Sequence, residues 1–154
     1  MIKINVIINS SKWRQYIKYP DQYIKLKTVK FNKKDKILKT NFFFCNLLLS
    51  SSNHIKKLNK KFRQKNRSTD ILSFPFQTKI DLKKNIKTKK QIYLGDIIIN
   101  LGKIKDKKDI KKFKYNFDQL WVHGLVHLLG YDHKKERDHQ GMLRIEKKFR
   151  SYLS

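Results

Sequence analysis

The chain has 154 residues, a length that fits one domain with a core of its own. Its single cysteine, Cys45, excludes an intrachain disulfide, and the longest apolar run, Phe42 to Leu49, is too short to span a bilayer. The 38 Lys and Arg against 12 Asp and Glu give +26, a charge that favours a polyanion, nucleic acid being the large abundant one. Alanine is absent while Lys, Asn, Ile and Phe are plentiful, the mark of an AT-rich genome. About half of the charge excess is ascribed to that bias, so charge alone does not establish nucleic-acid binding. The first residues lack the basic start and apolar stretch of a signal peptide, and a cytoplasmic protein is expected.

Taken in order, Ile2 to Ile8 reads as a strand. Ser10 or Ser11 caps a short helix through Trp13, Tyr16 and Ile17, which Pro20 is expected to stop. Residues 21–39 carry no decisive pattern. Asn41 to Leu49 reads as a strand buried on both faces, with Cys45 a core thiol. Ser51 to Arg63 reads as an amphipathic helix, with Ile55, Leu58 and Phe62 on one side and lysines on the others. A turn at Asn66 to Thr69 leads to a strand, Asp70 to Phe76, whose Pro75 suits an edge or strand end. Gln77 to Gln91 is expected to be a mobile loop. Ile92 to Asn100 reads as the next strand, Gly95 marking a bulge or a close backbone approach. Leu101 to Lys114 reads as a helix and connector, followed by helices over Phe117–Leu129 and Asp138–Leu153. These elements, without strict alternation, predict one α+β domain over residues 1–154: a small mixed sheet packed with helices.

Three of the five histidines fall within eleven residues, His123 to His133. His123 and His127, four apart, share one helix face. Gly130 ends that helix and lets His133 return to the same point. The helix is apolar nearly all round, so its imidazoles need a partner or a ligand. Three imidazoles with a fourth position open form a site for one zinc ion and a water. His139 is the rival third ligand. Asp132 is the expected acceptor that orients a liganding imidazole, its alternative being a turn-former after Tyr131.

The spacing matches the zinc-protease signature His-Glu-x-x-His-x-x-Gly-x-x-His, with Gly124 where the general base Glu stands. A metal cage without that base argues against peptide hydrolysis and for a Lewis acid acting on a phosphodiester. Water or an RNA 2′-hydroxyl both fit as nucleophile.

His-Gly-x-x-His-Leu-x-Gly-Tyr-Asp-His, over residues 123–133, resembles the signature of the YbeY family, single-domain metal-dependent endoribonucleases of bacterial ribosomal RNA maturation. Leu58 to Arg63 with Ser68 to Pro75 resembles the family's Leu-Asn-x-x-Tyr-Arg and Pro-Thr-Asp-Val-Leu-Ser-Phe-Pro. Leu94 to Ile99 resembles its Leu-Gly-Asp-Ile strand. The resemblance covers about residues 54 to 149. It implies a zincin-like helix, zinc on His123, His127 and His133, and Arg63 beside the substrate phosphate, where a planar fork suits two oxygens. Departures are Phe62 for Tyr, Asn66 for Asp, Ser68 for Pro, and no acids over residues 50–54. Asp96 is expected to be structural, bonding backbone near the end of the sheet.

The function expected on these grounds is a zinc-dependent, single-strand-specific endoribonuclease that processes the 3′ end of 16S ribosomal RNA and serves ribosome quality control. Its partners would be RNA, the ribosome and assembly proteins. The alternatives are a zinc metallopeptidase, or a non-catalytic ribosome-binding factor with structural zinc, which His139 as fourth ligand would favour.

Overall fold

A computed structural model describes residues 1–154. Four strands form one mixed sheet: β1 (Ile2–Ile8), β2 (Phe42–Ser50), β3 (Ile71–Pro75) and β4 (Gln91–Asn100), in the order β1-β2-β4-β3. The first three in that order run parallel, and β3 closes the edge antiparallel to β4. Pro75 terminates the edge strand, where its missing N–H breaks no ladder.

The strand over residues 42–50 is not buried on both faces. Its odd-numbered residues lie in the core while Phe42, Phe44, Asn46 and Leu48 are only half-buried. Helices pack on one side of the sheet along its whole length, and on the other side only at one end. In β4 the register skips a residue: Phe44 pairs with Tyr93 and Cys45 with Gly95. The extra residue is a bulge, and Gly95 adopts φ 129° there.

The covered side holds α1 (Pro20–Lys34), α5 (Ile110–Leu128) and α6 (Glu136–Ser151) over one core rich in rings, including Trp13, Phe31, Phe113, Phe117, Trp121 and Phe149. The Trp13 indole N–H donates to the Ser50 carbonyl at 2.9 Å, and Trp121 donates to Asp118 at 2.8 Å, so neither ring buries an unpaired donor. Cys45 is fully buried, and burial, then the charge of Asp96, pushes its thiol up to about 12. On the other side α3 (Ser52–Arg63) sets Ile55 against Leu72 and Ile98. Ser51 caps it by accepting from the His54 N–H.

Three further sequence expectations change. Pro20 opens a helix instead of stopping one: at the first helical position its missing N–H costs nothing and its φ is pre-set. The segment before it, Ser11–Gln15, is a single 3-10 stretch. Residues 77–91 are no mobile loop but hold α4 (Lys79–Thr88), begun by Thr78 accepting from the Asp81 N–H at 3.1 Å. The histidine helix starts seven residues earlier than the apolar pattern, at Ile110, because Asp109 caps it. No helix is long and apolar enough to cross a membrane.

Asp35 ties the first helical layer to the last. One carboxylate oxygen accepts from the Ile37 and Leu38 N–H groups at 3.0 and 3.2 Å, starting α2 (Lys36–Thr40). The other meets Lys148 at 2.8 Å and the Tyr152 hydroxyl. Burial raises its pKa, but the Lys148 and backbone hydrogen bonds outweigh it and hold the group below the usual carboxylate range. A depressed folded-state pKa stabilises the fold above the unfolded-state value, and that contribution disappears as pH falls through the folded-state value. Asp35→Asn is therefore expected to cost about 2 kcal/mol at neutral pH and to flatten the acid limb of a plot of melting temperature against pH. An acid limb as steep as that of the parent would refute the assignment.

Candidate metal centre and its cleft

The site is built on the last turn of α5 and the bend after it. The His123 and His127 rings stand 4.6 Å apart by centroid, and their Nε2 atoms are 3.1 Å apart. Gly130, at φ 87°, ends the helix, its N–H donating to the His127 carbonyl at 2.9 Å. The chain then reverses, and His133 comes within 5.1 Å of the His127 ring and 6.0 Å of the His123 ring. One ring nitrogen from each of the three lies within 4.8 Å of the others. His139 is outside that group, an exposed residue on α6 whose ring is 6.4 Å from His133.

Hydrogen bonds settle where the protons sit. The His127 Nδ1 faces the Tyr131 carbonyl oxygen at 3.0 Å, an atom that only accepts, so Nδ1 carries the hydrogen. The His123 Nδ1 faces a Glu146 carboxylate oxygen at 2.6 Å and donates likewise. In the neutral rings each Nε2 is then left with a lone pair, and the two lone pairs point at each other. Such a pair repels unless a cation lies between them. Metal–nitrogen bonds of ~2.0–2.1 Å in a tetrahedral arrangement place ligand nitrogens ~3.3 Å apart, close to the spacing found here. Burial first, then the neighbouring His123 and His133, lower the His127 pKa and favour the neutral imidazole that a metal requires. The three residues fit a metal ion.

Asp132 does not orient an imidazole: it accepts from the His133 N–H at 2.7 Å and shapes the turn. That orienting role belongs to Glu146 on α6, which the sequence reading missed. Glu146 is buried and also accepts from Arg150 at 2.7 Å. Burial raises its pKa, but its hydrogen bond to His123 and the charge of Arg150 prevail and keep it ionised. The signal was there: an acid four residues after Met142 and three before Phe149, inside the apolar stripe of a helix. Glu146→Gln should weaken metal binding about 10- to 100-fold in competition with a chelating dye, the usual effect of losing an outer-shell partner. Unchanged affinity would remove Glu146 from the site.

Gly124 is explained by packing. A Cβ there would lie 2.7 Å from Ile97 Cγ2 and 3.0 Å from Ile71 Cδ1. The position faces the sheet and not the cleft, so a base carried on it has no space. Asp96 bonds side chains and not backbone: it accepts from Asn46 at 2.8 Å and the Tyr93 hydroxyl at 2.7 Å, on the far face of the sheet.

The imidazoles open into a cleft of about 710 Å³ whose walls include Asp70, Ser73, Gln77 and Lys134. Arg63, at the end of α3, reaches the same cleft. Its guanidinium donates to the Ser73 carbonyl at 3.0 Å and lies 5.7 Å over the Phe74 ring. Residues 77–91 matter here: Lys79 of α4 packs against Gly130 and sits 4.8 Å over the Tyr131 ring, bracing the bend that carries His133.

Fold and site together define an α+β protein whose buried helix delivers an imidazole pair, joined by a third ring, to an open cleft. Residues 7–154 match the model of the family described as endoribonuclease YbeY. The chain belongs to that family. It is 39% identical over 150 residues to the protein named endoribonuclease YbeY of Pelagibacter ubique, covering 95% of this chain and 92% of that one. The Buchnera aphidicola protein of the same name is 34% identical over 159 residues, covering 99% and 92%. Among solved structures, the solution structure of TM1509 from Thermotoga maritima aligns with a TM-score of 0.58 at 23% identity, covering 98% of this chain and 89% of that one, and shares the fold.

Proposed function

We propose that the 154 residues act as one domain, a cytoplasmic, zinc-dependent endoribonuclease that cuts single-stranded RNA in ribosomal RNA maturation, at the 3′ end of 16S RNA, and in ribosome quality control. One observation carries the reading. Two imidazoles with fixed Nδ1 protons aim their lone pairs at one point, beside a third, in a cleft shared with Arg63 on a chain of charge +26. His123, His127 and His133 would hold one zinc ion. When bound, the ion supplies Lewis-acid charge and a source of hydroxide at neutral pH. Glu146 and the Tyr131 carbonyl keep the rings in the ligand tautomer. Arg63, steadied by Ser73 and Phe74, offers its free N–H groups to a substrate phosphate. Lys134 adds positive charge at the rim.

The metallopeptidase reading loses its base, since position 124 is closed off by Ile97 and Ile71. The structural-zinc reading lacks its fourth protein ligand, since His139 stands outside the cluster. RNA, the ribosome and its assembly proteins are the proposed partners. The test is cleavage of a precursor carrying the unprocessed 16S 3′ end. Chelation should stop cleavage and added zinc restore it. Cleavage indifferent to chelator would overturn the metal dependence, and digestion of casein in place of RNA would overturn the substrate.

A further inference from the structure

The uncovered face of the sheet is organised in rows across the strands. In the first row Lys3 pairs with Phe44, and Phe44 with Tyr93. The Phe44 and Tyr93 rings are 5.2 Å apart, and Phe76, just beyond β3, lies 5.1 Å from Tyr93. Phe42 extends the group at 6.4 Å from Phe44. In the second row Asn5, Asn46, Asp96 and Phe74 stand side by side. They are linked by hydrogen bonds from Asn5 to Asn46 and from Asn46 and Tyr93 to Asp96. The β4 bulge sets Tyr93 and Asp96, three apart in sequence, on the same face. Only the third row, Ile7, Leu48, Ile98 and Leu72, is apolar throughout, and α3 packs on it.

The two open rows thus combine clustered rings, amide and carboxylate groups, and a flanking lysine. Phe76 is 67% exposed beside the Tyr93 ring. A face built only to meet an apolar protein surface would not carry a hydrogen-bonding row across its middle. A strand of unpaired bases needs all three features: rings to stack on, donors and acceptors for base edges, cations for phosphates. Other four-stranded sheets stack bases on exposed aromatics in this way. The chain's charge of +26 favours a polyanion over a neutral partner, and here it stands beside the clustered rings and the hydrogen-bonding row.

The geometry points to a second RNA-binding surface, a stacking platform of Phe44, Tyr93 and Phe76, on the face opposite the histidine cleft. It deepens the nuclease reading above and rests on it. The platform joins the cleft around the edge strand. Phe74 ends the second row, lies 5.5 Å from the Phe62 ring, and sits under the guanidinium of Arg63, which lines the cleft. A single strand whose phosphate is held at Arg63 continues over Phe74 onto the platform. The consequence is a dependence on substrate length: short RNAs use the cleft alone, longer ones both surfaces.

The test uses labelled oligouridine of about 12 nucleotides and a trinucleotide, with binding read by fluorescence anisotropy. Phe76→Ala and Phe44→Ala should each weaken the longer RNA about fivefold or more and raise its KM, while turnover of the trinucleotide stays at the parent value. Phe76→Trp should restore binding. A melting temperature equal to the parent's shows that Phe76→Ala, at an exposed position, leaves the fold intact. If both alanine variants bind the longer RNA as the parent does, the platform is overturned while the nuclease reading stands. Alanine variants that bind RNA normally but lose a co-purifying protein would overturn it in favour of a protein interface. If the parent binds and cleaves neither RNA, the nuclease reading itself has failed.

Discussion

His127→Ala is expected to lose more than about a hundredfold in RNA cleavage, beyond the upper end of what loss of an outer-shell partner costs. The residue is half-buried, its Nδ1 held by the Tyr131 carbonyl and its Nε2 turned toward His123. Removing it leaves two imidazoles, one on the helix and one on the bend. Purified variant protein should therefore carry markedly less zinc by elemental analysis. The melting temperature of chelated protein should change little, because the ring faces a cleft and not the core. The comparison with His139→Ala makes the result specific, since that ring lies outside the cluster and its loss should leave cleavage and metal content intact. A His127→Ala protein as active as the parent would remove the basis of the proposed mechanism.

The largest effect on stability is expected at Gly95. Its φ of 129° lies where L side chains are strained, and an added Cβ would fall on the Phe74 carbonyl oxygen and 2.9 Å from the Phe76 nitrogen. Both clashes are with backbone, of the edge strand at Phe74 and of the residue just after it at Phe76, which can yield only by breaking hydrogen bonds with β4. Strain of about 1–3 kcal/mol and overpacking of about 1–3 kcal/mol add to roughly 4 kcal/mol for Gly95→Ala. For a chain of this size that lowers the melting temperature by about 8–16 °C. Gly141→Ala is the contrast. That position is inside α6 with nothing within 4 Å of an added Cβ, so the change should stabilise by roughly 0.5–1 kcal/mol. Equal melting temperatures for the two variants would mean that the bulge is not under the constraint described.

Local chemistry explains why some elements were legible. Ser51 before an apolar stripe defines α3, and Gly95 inside a run of β-branched residues announces the bulge. Where the stripe was thin, reading failed. In α4 only Leu82 is buried, so no periodicity survives among its lysines, although the Thr78-x-x-Asp81 capping pattern was present. Pro20 was misread because proline ends a helix or begins one with equal ease, and only the residues around it decide.

What the sequence determined by itself was the histidine spacing and the helix-ending glycine. Together these set His123 beside His127 and turn the chain back after Gly130, since helical geometry over a few residues is local and needs no tertiary information. What only the tertiary structure decided was everything reached across the fold. Glu146 meets His123 from 23 residues away, Gly124 is closed off by two strands, and Arg63 enters the cleft from the opposite layer. Those contacts depend on how helices dock on a twisted sheet, a long-range outcome of core packing that no short stretch of chain encodes.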